Sequence, residues 1–168
     1  RVTTATVSVE VTAVNDAPVF ERNQTLAVQE NAANGSVVGT VAATDIDSAN
    51  LSFALLNDAG GRFTIDSTTG EVSVADGLAL DFEQAASHTI EVEVSDGSLT
   101  VVEDFVVSIT NVDPEVVVAD DLGRTIHGGA RGDTLTGGAS SDDLHGEGGN
   151  DVIDGMAGAD SMSGGTRS

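Results

Sequence analysis

Residues 128–164 read GGARGDTLTGGASSDDLHGEGGNDVIDGMAGADSMSG, and a period of nine runs through them. Gly128, Gly137, Gly146, Gly155 and Gly164 open the units; Asp133, Asp142, Asp151 and Asp160 stand at the sixth position; Ile126, Leu135, Leu144, Ile153 and Met162 stand at the eighth. Phasing of three residue types argues against a flexible Gly-rich linker. Each type has a task. Glycine lets a loop take positive φ and turn its carbonyls inward. The Asp supplies charge, and the apolar residue two positions later makes a short strand that points inward. The pattern is imperfect, since Arg131 and Ser140 replace a Gly in two units and Glu147 and Met156 in two others, and the unit starting at Ala119 keeps only its apolar residue.

The segment 115–168 resembles the RTX nonapeptide Gly-Gly-x-Gly-x-Asp-x-U-x, where U is a large apolar residue. The resemblance implies a short parallel β-roll that binds Ca2+, with two units per turn. Loops two units apart then face each other, so Asp133 shares an ion with Asp151, and Asp142 with Asp160. A roll this short buries little by itself and is expected to be largely disordered without Ca2+.

Working outward, the composition shifts near Pro114. All five Phe lie before it, with seven of the twenty Gly. That part reads as strands of period two. Val7, Val9 and Val11 alternate with polar residues until Asn15-Asp16-Ala17-Pro18 breaks the pattern. Further strands are read at 24–29, 37–43, 51–56, 63–65, 72–74, 90–94 and 101–109, with a Gly-terminated hairpin loop at 66–70. Short strands, frequent turns and no convincing helix predict an antiparallel β-sandwich over 18–114. Glu91 and Glu93 are read as a solvated strand face, and Asp58, Asp66 and Asp76 as turn residues.

Several motifs in this part occur in a set order. They are Asn15-Asp16-Ala17-Pro18, Gln29-Glu30-Asn31, Asp45-Ile46-Asp47 with Asn50, Phe63 to Val74, Leu80-Asp81-Phe82-Glu83, and Ser95-Asp96-Gly97. Together they resemble a cadherin or bacterial cadherin-like repeat, which implies a Greek-key β-sandwich with Ca2+ held between successive repeats. Residues 1–17 then resemble the last strand and linker of a preceding repeat. The ligands implied at the N-terminal junction are Asn15, Asp16, Asp45, Asp47 and Asp96, with Asn50 offering a carbonyl. Those implied at the C-terminal junction are Glu30, Asp81, Glu83 and Asp113. Ala13 stands where the family has its first linker Asp, and Asn111-Val112-Asp113-Pro114 is a shortened second linker.

Charge fits a cation-dependent chain. There are 28 acidic residues against 6 basic ones, giving a net charge of −22. Two like charges 4 Å apart repel by about 4 kcal/mol at an effective dielectric of 20. Clustered carboxylates therefore need a counter-cation, and Ca2+, with 6–8 oxygen ligands, is the natural one. The same charge argues against nucleic acid as a partner, and no apolar run suits insertion into a membrane. Without Cys there is no thiolate chemistry. His88, His127 and His145 are scattered and fit no catalytic motif, so the chain is not read as an enzyme. With no Trp or Tyr there is no sugar-stacking platform.

The chain begins inside a strand pattern and stops inside a Gly-rich one, so it reads as a piece of a longer protein. The resemblances imply Ca2+ binding and calcium-dependent cell adhesion, homophilic where like repeats meet, within a large secreted or cell-surface bacterial RTX adhesin. Its partners would be neighbouring repeats of the same chain, like repeats on other cells, or a surface ligand. The alternative is a calcium-dependent folding and secretion appendage of an extracellular enzyme such as a protease, lipase or epimerase.

Overall fold

The computed structural model describes residues 4, 6–10, 12 and 14–166. The described residues are all-β, apart from one 3-10 turn at Gly77–Ala79. The first part is a sandwich. One sheet contains β2 (Leu26–Gln29), β5 (Ser52–Asn57), β8 (Ser87–Ser95) and β9 (Thr100–Thr110), in the order β2-β9-β8-β5. The other contains β3 (Val37–Thr40), β6 (Phe63–Ile65) and β7 (Glu71–Val74), in the order β3-β7-β6. A small pair, β1 (Val19–Phe20) with β4 (Ala43–Thr44), closes one side.

Period-two alternation builds the core. Along β8, Ile90, Val92 and Val94 are fully buried, while Glu91 and Glu93 lie half-buried on the opposite face. On β9, Phe105, Val107 and Ile109 point inward, and Phe105 meets the ring of Phe20 edge-on at 5.2 Å. The expected 66–70 turn forms because Asp66 Oδ1 accepts the backbone N–H groups of Thr68 and Thr69.

The sandwich is not purely antiparallel. β2 runs parallel to β9, with Leu26 opposite Val107 and Gln29 opposite Thr110. Both strands thus end at the same pole, where the Glu30 N–H donates to the Thr110 carbonyl. This places Glu30 beside the 111–115 linker. Thr4, residues 6–10 and Thr12 form no strand, and Val7 and Val9 are about 80% exposed. The alternation expected there has no partner strand among the described residues, and a strand needs one. Val11 and Ala13 lie outside the described residues.

The second part is a roll of six strands: β10 (Val116–Val118), β11 (Thr125–His127), β12 (Thr134–Thr136), β13 (Asp143–His145), β14 (Val152–Asp154) and β15 (Ser161–Ser163). They form two parallel sheets, β10-β12-β14 and β11-β13-β15. Leu135 pairs with Ile153, and Leu144 with Met162, so a full turn takes two units. Val117, Ile126, Leu135 and Leu144 form the interior column. Leu78, from the 3-10 turn of the sandwich, packs against it and closes its N-terminal end. At the far end Met162 is 55% exposed.

Glycine takes the expected positive φ at Gly129, Gly149, Gly158 and Gly165, but not at the opening positions. The opening Gly128 and Gly155 have no positive φ; a Cβ on them would lie 2.8 and 2.6 Å from the carboxylate of Asp133 and Asp160. Space for the carboxylate, not backbone freedom, requires them. Positive φ falls at the fourth position, as at Gly149 and Gly158, and at the second, where Glu147 and Met156 adopt φ of 62° and 59°. A left-handed non-glycine residue costs about 1–2 kcal/mol, and the Met156 side chain is largely exposed. Met156→Gly is therefore expected to stabilise the roll by about 1 kcal/mol, read as a raised denaturation midpoint in calcium. An unchanged midpoint would show that the strain is absent in solution.

Candidate metal centres

Three groups of acids are set up by the fold. At the N-terminal pole, loops after β4 and β8 meet the linker. Asn15 Nδ2 donates to Asp96 Oδ2 at 2.6 Å, and the Asp16 N–H donates to Asp47 Oδ2 at 3.1 Å. Asp45 Oδ1 accepts the N–H groups of Asp47 and Ser48, so this stretch is a bend rather than an extended segment. Asp45 Oδ2 is buried with no hydrogen-bond partner. The Asn50 carbonyl accepts from the Ser48 hydroxyl at 3.1 Å.

At the opposite pole, Glu30, Asp81 and Glu83 each bring a carboxylate oxygen within 4.8 Å of the others. Glu30 Oε2 accepts from the Phe82 N–H at 2.7 Å, and its Oε1 accepts from the Val112 N–H. Asp81 Oδ1 caps the Gln84 N–H, and its Oδ2 accepts from the His127 N–H of the roll at 3.0 Å. Glu83 Oε1 accepts from Asn111 Nδ2 at 2.6 Å. Asp113 Oδ1 and Glu83 Oε2 are buried and unpartnered.

In the roll the acids form two ladders. In the first, the Glu115 N–H donates to Asp133 Oδ1 at 2.7 Å, and the Asp133 N–H to Asp151 Oδ1 at 3.1 Å. In the second, the Arg124 N–H donates to Asp142 Oδ1 at 2.8 Å, and the Asp142 N–H to Asp160 Oδ1 at 3.0 Å. The predicted partners Asp133 and Asp151, and Asp142 and Asp160, are thus neighbours. The ladders differ. The second oxygens of Asp133 and Asp151 are buried and unpartnered, whereas Asp142 Oδ2 accepts the Gly138 N–H.

Two residues of the ladders stand outside every motif read from the sequence. Glu115 takes the rung before Asp133. Arg124 takes the rung before Asp142, and its guanidinium turns away to Asp120 and to Asp76, 2.7 Å distant on the sandwich. Asp76 is therefore half of an ion pair joining the two parts, not merely a turn residue. Counting back two nine-residue units from Asp133 and Asp142 reaches both positions; the motif letters hid them. His88 lies on an inner strand near Phe63, and His127 stacks on His145 with ring centroids 4.7 Å apart.

The donors in all three groups are oxygens, several of them buried with no protein partner, which suits a hard cation such as Ca2+. A family model described as a cadherin domain matches residues 24–110. The chain belongs to the cadherin family. After its cadherin domain come RTX calcium-binding nonapeptide repeats, matched over residues 125–153 and 141–166. Both are calcium-binding families, and neither is enzymatic.

Cadherin-17 of Mus musculus is 39% identical over 106 residues, 61% of this chain and 13% of the relative. Protocadherin alpha-3 of Homo sapiens is 32% identical over 130 residues, 68% of this chain and 14% of the relative. The chain thus spans about one seventh of the length of these curated relatives. Among solved structures, the human Desmocollin-1 ectodomain aligns with a TM-score of 0.52 at 25% identity, covering 66% of this chain and 25% of that one. Human Protocadherin-24 EC1-2 aligns with a TM-score of 0.54 at 23% identity, covering 64% and 55%, and supports the fold alone.

Electrostatics divides the poles of the cadherin domain. Backbone N–H groups, first that of Asp47 for Asp45 and that of Leu99 for Asp96, hold these two carboxyls below their ordinary range. At the other pole, burial first and then the charge of Glu30 push Glu115 up to about 9 and Glu83 up to about 7. Burial likewise raises Asp133. A carboxyl raised by folding holds its proton longer in the folded state. Its stabilising effect is full below the unfolded value and is lost as pH rises through the folded value. In chelator the melting temperature is accordingly expected to fall as pH rises from about 5 to 9. Calcium needs the ionised groups, so in saturating calcium that fall is expected to vanish or reverse. The same fall with and without calcium would contradict this.

Proposed function

We propose that this chain is a calcium-stiffened segment of a large extracellular or cell-surface RTX adhesin of bacterial type, in which a cadherin domain feeds directly into an RTX roll. The domain would occupy residues 18–114 and the roll 115–168, with residues 1–17 linking to a preceding repeat. Asn15, Asp16, Asp45, Asp47 and Asp96 would hold ions at the first junction, Glu30, Asp81, Glu83 and Asp113 at the second, and Asp133, Asp151, Asp142 and Asp160 in the roll. The observation that carries the reading is the set of buried carboxylate oxygens with no protein partner, gathered at both poles and along the first ladder. Such groups are costly alone and favourable around a cation.

The mechanism is mechanical. Calcium that binds only the folded form shifts the equilibrium by RT ln(1 + [L]/Kd) and stiffens each junction. Where calcium is scarce the acidic chain stays loose; outside the cell it sets. The adhesive partner would be a like repeat or a surface ligand. Beads coated with the chain should aggregate in millimolar calcium and disperse with chelator. Beads that stay dispersed in calcium would remove self-adhesion from the reading.

A further inference from the structure

Glu115 lies between the two matched segments, after Pro114 and before β10. It is nevertheless only 2% exposed. Its N–H donates to Asp133, and the parallel register that sets Val116 opposite Thr134 makes it the first rung of the ladder. Its Oε1 accepts from Asn31 Nδ2 at 2.6 Å, which ties the same side chain to the sandwich. Its Oε2 is buried with no partner, as is Oδ2 of Asp133, a residue 1% exposed. Glu115 sits in the field of Glu30, Glu83 and Asp81, and Asp133 in that of Glu30 and Asp113. Among the described residues, the only basic side chain paired with any of these six acids is Arg131, 3.8 Å from Asp113 and 69% exposed.

Two buried carboxylates, each with an oxygen that lacks a donor, in a region crowded with negative charge, are costly in the ionised form unless a cation neutralises them. One rim arginine does not supply it. The roll also meets the sandwich acids directly: Asp81 accepts the His127 N–H, and a Cβ on Gly129 would lie 2.8 Å from Glu83 Oε1.

We propose that Glu115 is a bridging ligand that joins the sandwich cluster of Glu30, Asp81 and Glu83 to the Asp133 rung in one divalent-cation centre, so that the two modules take up calcium together. The proposal rests on the calcium reading above and adds the coupling. The test is hydrogen exchange of the whole chain across a chelator-buffered calcium titration, following the Val112 amide at the junction and the Thr134–Thr136 amides of the roll. In the wild type the two protection midpoints should coincide within about twofold. Glu115→Gln keeps the shape and an acceptor for Asn31 but removes the charge, and should separate the midpoints by tenfold or more, with the roll the weaker.

Separate midpoints in the wild type, or coincident ones in Glu115→Gln, would overturn the coupling. Protection that does not respond to calcium at all would instead overturn the calcium reading. Amides at Ile90–Val94 report whether the variant sandwich folds, and the wild-type comparison decides the matter if it does not.

Discussion

Leu135→Ala is expected to unfold the roll at calcium concentrations that order the wild type, while leaving the cadherin domain folded. Leu135 is fully buried and is one of only four buried residues in the interior column. Truncating a buried Leu costs about 2–5 kcal/mol, the spread reflecting how far the site collapses. Each of the four stabilises by about 1.5–3 kcal/mol, so the loss removes a large share of what holds six three-residue strands together. The cadherin domain has its own core around Ile90, Val92 and Val94 and should not follow. Hydrogen exchange separates the two parts: amides at Thr134–Thr136 and Val152–Asp154 should lose protection, and those at Ile90–Val94 should keep it. Roll protection within about 1 kcal/mol of the wild type would show that the column is not what holds it.

Asp133→Asn should change sign with the ion. Asn can still accept the Glu115 N–H through its carbonyl oxygen, so the ladder bond survives. What disappears is a charge set among Asp151, Asp113 and Glu30. In chelator, where the wild-type roll does not form, the variant is expected to regain part of the roll's strand signal, because repulsion of up to about 4 kcal/mol per close pair is relieved. In calcium it should melt lower, with affinity reduced at least tenfold, about 1.4 kcal/mol. A variant less stable in both conditions would make Asp133 a hydrogen-bonding residue alone.

Much of this architecture was legible because two periods carry it. Alternation over 90–94 and 101–109 marked strands whose inward residues are buried, and the nine-residue spacing of Asp133, Asp142, Asp151 and Asp160 marked the units, whose pairing two apart was implied by the RTX resemblance. The parallel pairing of β2 with β9 was not legible. Period two reports which face is buried, not which strand lies alongside or in which direction. Alternation at Val7 and Val9 misled for a related reason: pattern does not supply a partner strand.

At the candidate metal centres, side chains that fit a motif were read from the sequence and those defined only by register were not. Glu115 and Arg124 occupy Asp positions of degenerate units, and their roles follow from what lies across the sheet. Asp76 looked like a turn residue because its partner Arg124 is 48 residues away. Backbone freedom accounts for Gly129, Gly149, Gly158 and Gly165 but not for the opening Gly128 and Gly155, whose need arises from the carboxylate of Asp133 or Asp160 lying against them.

The claim beneath all of this is that these carboxylates tolerate one another only around a cation. Thermal melting of the whole chain, once with calcium at about 100 times its Kd and once with excess chelator, tests it most directly. The account predicts stabilisation of about 2.7 kcal/mol per calcium site, with the roll transition present only in calcium. Superimposable melting curves in the two conditions would contradict it.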